Sequence, residues 1–224
     1  MGKTFITADT HFGHEGILGF CNRPFKNVEK MNEVLIRNWN GRVKPKDTVI
    51  FLGDFAYRTA KHIGHYLDQL NGEKIFIRGN HDKNNGLRTK IENLVLRNGN
   101  DIMFCVHDPR HINKDITINL VGHIHNNWKA RKVRWNDGGW NIIVNVGVDV
   151  WNFYPAELQE LMAYIQHIKK NFPALNYDYN EWKKPFEKKI IETCKGQCGY
   201  DVLCRECEKK MWEERDRERN GQKI

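Results

Sequence analysis

Residues 74–82, Lys-Ile-Phe-Ile-Arg-Gly-Asn-His-Asp, constrain this chain more than any other stretch. An apolar, β-branched run leads straight into polar groups. That is the pattern of a buried strand delivering functional side chains at its carboxyl end, in the crevice above an α/β sheet. Gly79 permits a tight backbone turn there. Asn80 offers a neutral oxygen to a metal and His81 an ionisable imidazole, which Asp82 can orient. One such tetrapeptide carries little weight alone, but other strand-like runs of the chain finish in the same way.

Residues 3–8 read as a first strand, ending in Asp9-Thr10-His11-Phe12-Gly13-His14. A carboxylate and an imidazole two apart on extended backbone point to one side, as metal ligands must. Asn27 caps a helix with apolar positions Val28, Met31, Val34, Leu35 and Trp39. Residues 47–52 form a second strand, ending in Gly53-Asp54. Ile63, Leu67 and Leu70 stand at helical spacing before the strand that ends in Asn80-His81. This alternation predicts a parallel sheet of β-α-β units.

The pattern then changes to hairpins. Residues 94–96 and 102–106 flank Asn98-Gly99, a favoured hairpin turn, and the second arm ends at His107. Residues 116–121 lead to Gly122-His123-Ile124-His125. A further hairpin, 133–135 with 140–146, ends in Gly147-Val148-Asp149. Pro155 opens a helix to about Lys170, with Leu158, Leu161, Met162, Ile165 and Ile168 on one face.

The strand ends therefore gather Asp9, His11, Asp54, Asn80, His107, His123 and His125, with His81 left over. Mixed oxygen and imidazole ligands suit Mn²⁺, Fe, Zn²⁺ or Ni²⁺ better than Ca²⁺ or Mg²⁺. These ligands are too many for one ion. If one carboxylate bridges, they make two sites of four, the arrangement that clamps both oxygens of an in-line phosphoryl displacement.

In this order the motifs resemble those of the calcineurin-like metallophosphoesterases: Asp-x-His, Gly-Asp, Gly-Asn-His-Asp, a lone His, then Gly-His-x-His, over roughly residues 3–150. Asp-Thr-His-Phe-Gly-His, with Cys-Asn-Arg-Pro-Phe soon after, is similar to a small bacterial and phage branch of that superfamily. The resemblance implies an α/β fold, a four-layer α/β/β/α sandwich of two mixed sheets. It implies that Asp9, His11, Asp54 and His125 hold a first divalent ion, Mn²⁺ being the leading choice. Asp54, Asn80, His107 and His123 would hold a second, with Asp54 bridging. His81 would act on the substrate side, stabilising phosphoryl oxygens or protonating the leaving oxygen, and Asp82 would hold the His81 ring. Attack would come directly from a bridging hydroxide, with no phospho-enzyme. One residue departs from the pattern: Tyr57 stands where the family has a second Asp.

Several residues have two readings. His14 and Arg23 follow the first motif and can reach a substrate phosphate. Asp149 is either a turn residue or a partner to a ligand. Trp128, Trp135, Trp140 and Trp151 can stack on a base, though hairpin packing explains them as well. His62, His65 and His167 read as helix-surface residues, His111 as a loop residue, and Cys21 and Cys105 as buried thiols.

Composition divides the chain at residue 170. The net charge is +8, and from residue 171 on Lys and Arg (12) nearly balance Asp and Glu (11), so the excess lies in the first part. A basic body favours phosphate-bearing partners, nucleic acid among them, although no basic run is dense enough to be a nucleic-acid patch. Residues 1–170 are expected to form the phosphoesterase domain and 171–224 an extension. There Cys194, Cys198, Cys204 and Cys207 read as a structural Cys₄ zinc site with a short central gap. No apolar run reaches membrane-span length, and the N-terminus lacks a signal-peptide pattern, so a cytoplasmic protein without membrane partners is expected. Oligomeric state is not legible. The expected function is hydrolysis of a phosphodiester in a nucleotide, cyclic nucleotide or nucleic-acid end. The alternatives are a phosphomonoesterase or protein phosphatase and, in another class, an adaptor that binds through the zinc tail.

Overall fold

The computed structural model describes residues 2–177 apart from Arg58, Ala60 and Asn85. The expected Cys₄ site at Cys194, Cys198, Cys204 and Cys207 lies outside the described residues. In chain order the elements are β1 (Thr4–Thr7), α1 (Gly16–Phe20), α2 (Val28–Arg42), β2 (Thr48–Phe51), α3 (Ile63–Leu67), β3 (Glu73–Phe76), β4 (Asn93–Asn98), β5 (Asp101–Val106), β6 (Ile118–Val121), β7 (Ala130–Trp135), β8 (Trp140–Asn145), β9 (Ala156–Glu157), α4 (Leu158–Asn171) and β10 (Leu175–Tyr177).

Both sheets are mixed. The first has the order β3-β2-β1-β9, with β1, β2 and β3 parallel and β9 antiparallel to β1. The second has the order β10-β7-β8-β6-β5-β4; β8, β6 and β5 run parallel, and antiparallel pairs flank them. The β4–β5 register pairs Asn98 with Asp101, which leaves Gly99-Asn100 as a two-residue loop. Gly99 takes φ 58° there, the conformation this hairpin demands and glycine supplies without strain.

Strand alternation sorts side chains into two cores. Phe5, Val49 and Phe51 point outward from the first sheet and bury Met31, Leu35 and Trp39 of α2. Asn27 caps α2 through its side-chain oxygen to Lys30 N–H at 2.9 Å, as its spacing predicts. Trp39 is 1% exposed and donates its indole N–H to Asn71 O at 3.0 Å, so truncating it would cost about 3–5 kcal/mol. Ile6, Ile50 and Leu52 point the other way, against Met103, Cys105, Ile118, Leu120, Ile142 and Val144 of the second sheet. The buried face of α4 joins this same inter-sheet core, and α4 lies against β1, β8 and β9.

Three local readings need correction. The run Lys74–Ile77 is not a fully buried strand: β3 is an edge strand, and Ile75 is 39% exposed because no strand among the described residues follows on that side. The helical spacing of Ile63, Leu67 and Leu70 yields a helix of only five residues, Ile63–Leu67, which ends before Leu70. The short elements α1 and β9 carry too few residues to show a period. Residues 175–177, assigned from the sequence to the extension, add β10 to the second sheet beside β7, so that sheet continues past residue 170.

Candidate metal centre

The carboxyl ends of β1, β2, β3, β5 and β6 converge. Backbone bonds join their loops: Asp9 N–H to Gly53 O at 3.0 Å, His11 N–H to Asp54 O at 3.1 Å, and Gly122 N–H to His107 O at 2.9 Å. Gly79 lies so close to Asp54 that a Cβ there would stand 2.1 Å from the Asp54 carboxylate. Only glycine lets β2 and β3 end side by side.

Asp9, His11, Asp54, His123 and His125 all have positive φ, from 48° to 72°. The ligand pair after β1 is thus not on extended backbone. Asp9 and His11 share a side because the chain curls left-handed at each. Asp and His tolerate this conformation better than most residues, at a cost on the order of 1 kcal/mol each. Asn22, Asn152 and Phe153 share this conformation elsewhere among the described residues, so the five make up most of the strained positions, and such strain gathers where position matters more than stability.

The polar atoms form two groups. Ligand atoms of Asp9, His11 and His125 lie within 4.8 Å of one another, and so do those of Asp54, His107 and His123. Asp54 Oδ2 lies between the groups, 3.4 Å from His11 Nε2 and 3.4 Å from His107 Nε2. Asp54 Oδ1 is turned away and accepts the His81 backbone N–H at 2.9 Å. Asn80 Oδ1 stands 3.0 Å from His107 Nε2 and 2.8 Å from His123 Nδ1. His107 Nδ1 donates to Leu52 O at 2.7 Å, which leaves Nε2 of the neutral ring as the bare atom facing the cluster.

This donor set fits divalent cations. Ligands about 2.1 Å from one ion stand about 3.0–3.4 Å from each other in octahedral or tetrahedral shells, close to the separations here. His11 Nε2 is buried and has no hydrogen-bond partner among the described residues. An orphaned buried nitrogen is costly unless a cation faces it.

Electrostatics without a cation shows the same frustration. Burial pushes the Asp9 carboxyl up to about 6 and the His11 imidazole down to about 3. Burial and the neighbouring His107 lower His123 to about 4. Burial would also raise Asp54, but His107 and His11 outweigh it and hold that carboxyl well below the usual range. Burial opposes a charged His107 too, and its bond to Asp54 overrides this to raise it to about 9. Buried carboxylates thus lean on protonated imidazoles, a role that a bound cation would take over while freeing the rings as ligands.

The remaining site residues of the sequence reading lie as follows. His81 is half-buried, with Nε2 4.0 Å from Asp54 Oδ2. The Asp82 carboxylate accepts backbone N–H groups of Asp54 at 2.8 Å, Gly79 at 2.7 Å and Phe55 at 3.1 Å. It fastens the loops after β2 and β3 together. His14 Nδ1 stands 3.3 Å from His11 Nδ1. Arg23 turns inward and is 4% exposed. Its guanidinium binds both oxygens of Asp149, at 2.8 and 2.9 Å, and the carbonyls of Thr10 and Asp9. That geometry commits Arg23 to shaping the loops and leaves no direct reach to a phosphate.

Sequence reasoning left Asp149 open and missed Asn145. Asp149 Oδ2 lies 3.0 Å from His125 Nδ1. Burial acts to raise the Asp149 carboxyl, and Arg23 and His125 overrule it to hold it below its ordinary value. Asn145, fully buried at the end of β8, donates to His125 O at 2.7 Å and Trp128 O at 2.9 Å. Its only sequence signal was a polar residue closing an apolar strand. Trp128 and Trp135 are buried packing residues, while Trp140 is exposed.

A family model, calcineurin-like phosphoesterase, matches residues 2–190. The chain belongs to that family. Among curated proteins, the uncharacterized protein MJ1445 of Methanocaldococcus jannaschii is 40% identical over 173 residues, 74% of this chain and 93% of its own. Among solved structures, the protein of unknown function AQ665 from Aquifex aeolicus aligns with a TM-score of 0.54 at 23% identity, over 73% of this chain and all of its own. That structure shares the fold. The family is metal-dependent, and the His and Asp groups above are able to hold a metal. No helix among the described residues is long and apolar enough to cross a membrane.

Proposed function

We propose that the chain hydrolyses phosphodiesters at a two-metal centre, with Asp54 shared between the ions. The observation that carries this reading is the position of Asp54 Oδ2, equally 3.4 Å from a histidine nitrogen of each group. Asp9, His11 and His125 would hold one ion with Asp54; Asn80, His107 and His123 would hold the other. A pair of divalent ions there supplies an acidified water and neutralises charge growing on the phosphoryl oxygens.

The chain's own residues do the rest. His81, solvent-accessible beside Asp54, stabilises the phosphoryl group or gives a proton to the leaving oxygen. Its backbone N–H fixes Asp54 Oδ1, so the position of the acid and the aim of the bridging carboxylate are coupled. Asp82 and Arg23 hold the backbone on which these groups sit. The basic excess of the chain suits an anionic diester such as a nucleotide or nucleic-acid end.

The test is hydrolysis of bis-p-nitrophenyl phosphate against p-nitrophenyl phosphate with Mn²⁺, on wild type and Asp54→Asn. Faster diester cleavage, lost in the variant, is the expected result. Faster monoester cleavage would replace the diesterase reading with a phosphomonoesterase.

A further inference from the structure

A cleft of about 410 Å³ opens directly beside the Asn80–His107 half of the metal centre, with Gly79, Asn80 and His107 among its walls. Around it stand Arg78 and Lys83 from the loop after β3, and Arg110 and His111 from the loop after β5. Val106 is its one aliphatic wall residue, and no Phe, Tyr or Trp lines it. A ring of cationic donors around the hollow suits a phosphate group.

The charges are arranged rather than scattered. Asp108 accepts from Arg110 Nε at 2.8 and 2.9 Å and fixes its planar fork at the rim. Glu92 pairs with Arg78. Among the described residues no carboxylate pairs with Lys83, so three permanent cations face two carboxylates and the cleft keeps a positive balance. The opposite flank of the centre differs. There the rings of His14 and Tyr57 pack at 4.6 Å, and Phe20, 63% exposed, lies beside His14. The centre thus has a phosphate-like side and an aromatic side.

We infer that this cleft binds a second, non-scissile phosphate of the substrate, so the substrate class is an oligonucleotide strand. The inference rests on the phosphodiesterase reading above and extends it. A strand would place one phosphate at the metals and its neighbour among Lys83, Arg110 and Arg78.

The experiment has two arms. First, a fluorescein-labelled single-stranded oligonucleotide is titrated with chelator-treated protein and followed by anisotropy, for wild type and Lys83→Glu. Wild type should bind, and the variant should bind about tenfold or more weakly with a shallower salt dependence, as for a lost phosphate contact. Second, metal-loaded proteins are assayed on the oligonucleotide and on bis-p-nitrophenyl phosphate. Lys83→Glu should raise KM for the oligonucleotide about tenfold and leave the small diester within about twofold. Equal binding by wild type and variant, or no binding by wild type, overturns the inference. Equal losses on both substrates overturn it too. Absence of small-diester turnover in wild type would instead strike the phosphodiesterase reading, while the binding arm would still decide the cleft.

Discussion

The backbone N–H of Asp54 donates to the Asp82 carboxylate at 2.8 Å. The same carboxylate takes N–H groups from Gly79 and Phe55, so it ties the end of β3 to the end of β2. Asp82 sits at 3% exposure, where a lost acceptor is not replaced by water. Asp82→Ala should therefore orphan buried donors and cost about 1–3 kcal/mol or more. Thermal melts of the metal-free protein check this. Metal affinity should fall as well, because Asp54 loses its anchor. A variant with wild-type melting and metal binding would show that the loops hold themselves.

Tyr57 occupies the place of a family aspartate and packs edge-on against the His81 ring, 4.3 Å between centroids. Its role here is to brace His81 from the side. Tyr57→Ala should lower kcat by about 10²-fold through misplacement of His81, with both metals retained. Tyr57→Phe keeps the ring and should remain near wild type. If Tyr57→Phe loses as much as Tyr57→Ala, the hydroxyl rather than the ring matters, and wild-type activity in both removes the bracing role.

Asp149 faces His125 Nδ1 at 3.0 Å and is clamped by Arg23. A carboxylate behind a metal-ligating imidazole fixes its orientation and raises its basicity. With His125 holding one ion of the proposed pair, Asp149→Asn should weaken that site about 10–100-fold and spare the other. Stepwise metal titration by calorimetry separates the two sites. A uniform loss at both would contradict the pairing.

Asp47 accepts the N–H groups of Lys3 and Lys44, each at 2.7 Å, and so pins the starts of β1 and β2 together. These backbone bonds lower its carboxyl below the usual value of 3.8. A depressed carboxyl stabilises the fold above the unfolded value and loses that contribution as pH falls through the folded value. Asp47→Asn should therefore be less stable than wild type at neutral pH. The gap should close as pH drops below about 4. Paired denaturant melts from pH 7 to pH 3 measure it, and a gap independent of pH would rule out the ionised carboxyl as the cause.

The family signal was legible because its motifs sit at strand ends, where position in sequence and position in space coincide. Asp9, Asp54, Asn80, His107, His123 and His125 needed only their order to be grouped. What stayed hidden depends on contacts between distant segments. Arg23 and Asp149 are 126 residues apart, and nothing local shows that one neutralises the other. The work of Asp82 is on backbone N–H groups, which sequence does not display. Asp9 and His11 were rightly placed together for the wrong local reason, since their backbone is left-handed rather than extended. Elements of two to five residues, such as β9 and α1, carry no periodic pattern and form because neighbouring strands and loops hold them.

The central claim is that Asp54 joins two ions. The most direct test is electron paramagnetic resonance of the protein loaded with Mn²⁺, on wild type and Asp54→Asn. Wild type should show the spectrum of an exchange-coupled manganese pair, and the variant should lose that coupling. Isolated, uncoupled Mn²⁺ in the fully loaded wild type would contradict the shared carboxylate and the two-metal centre built on it.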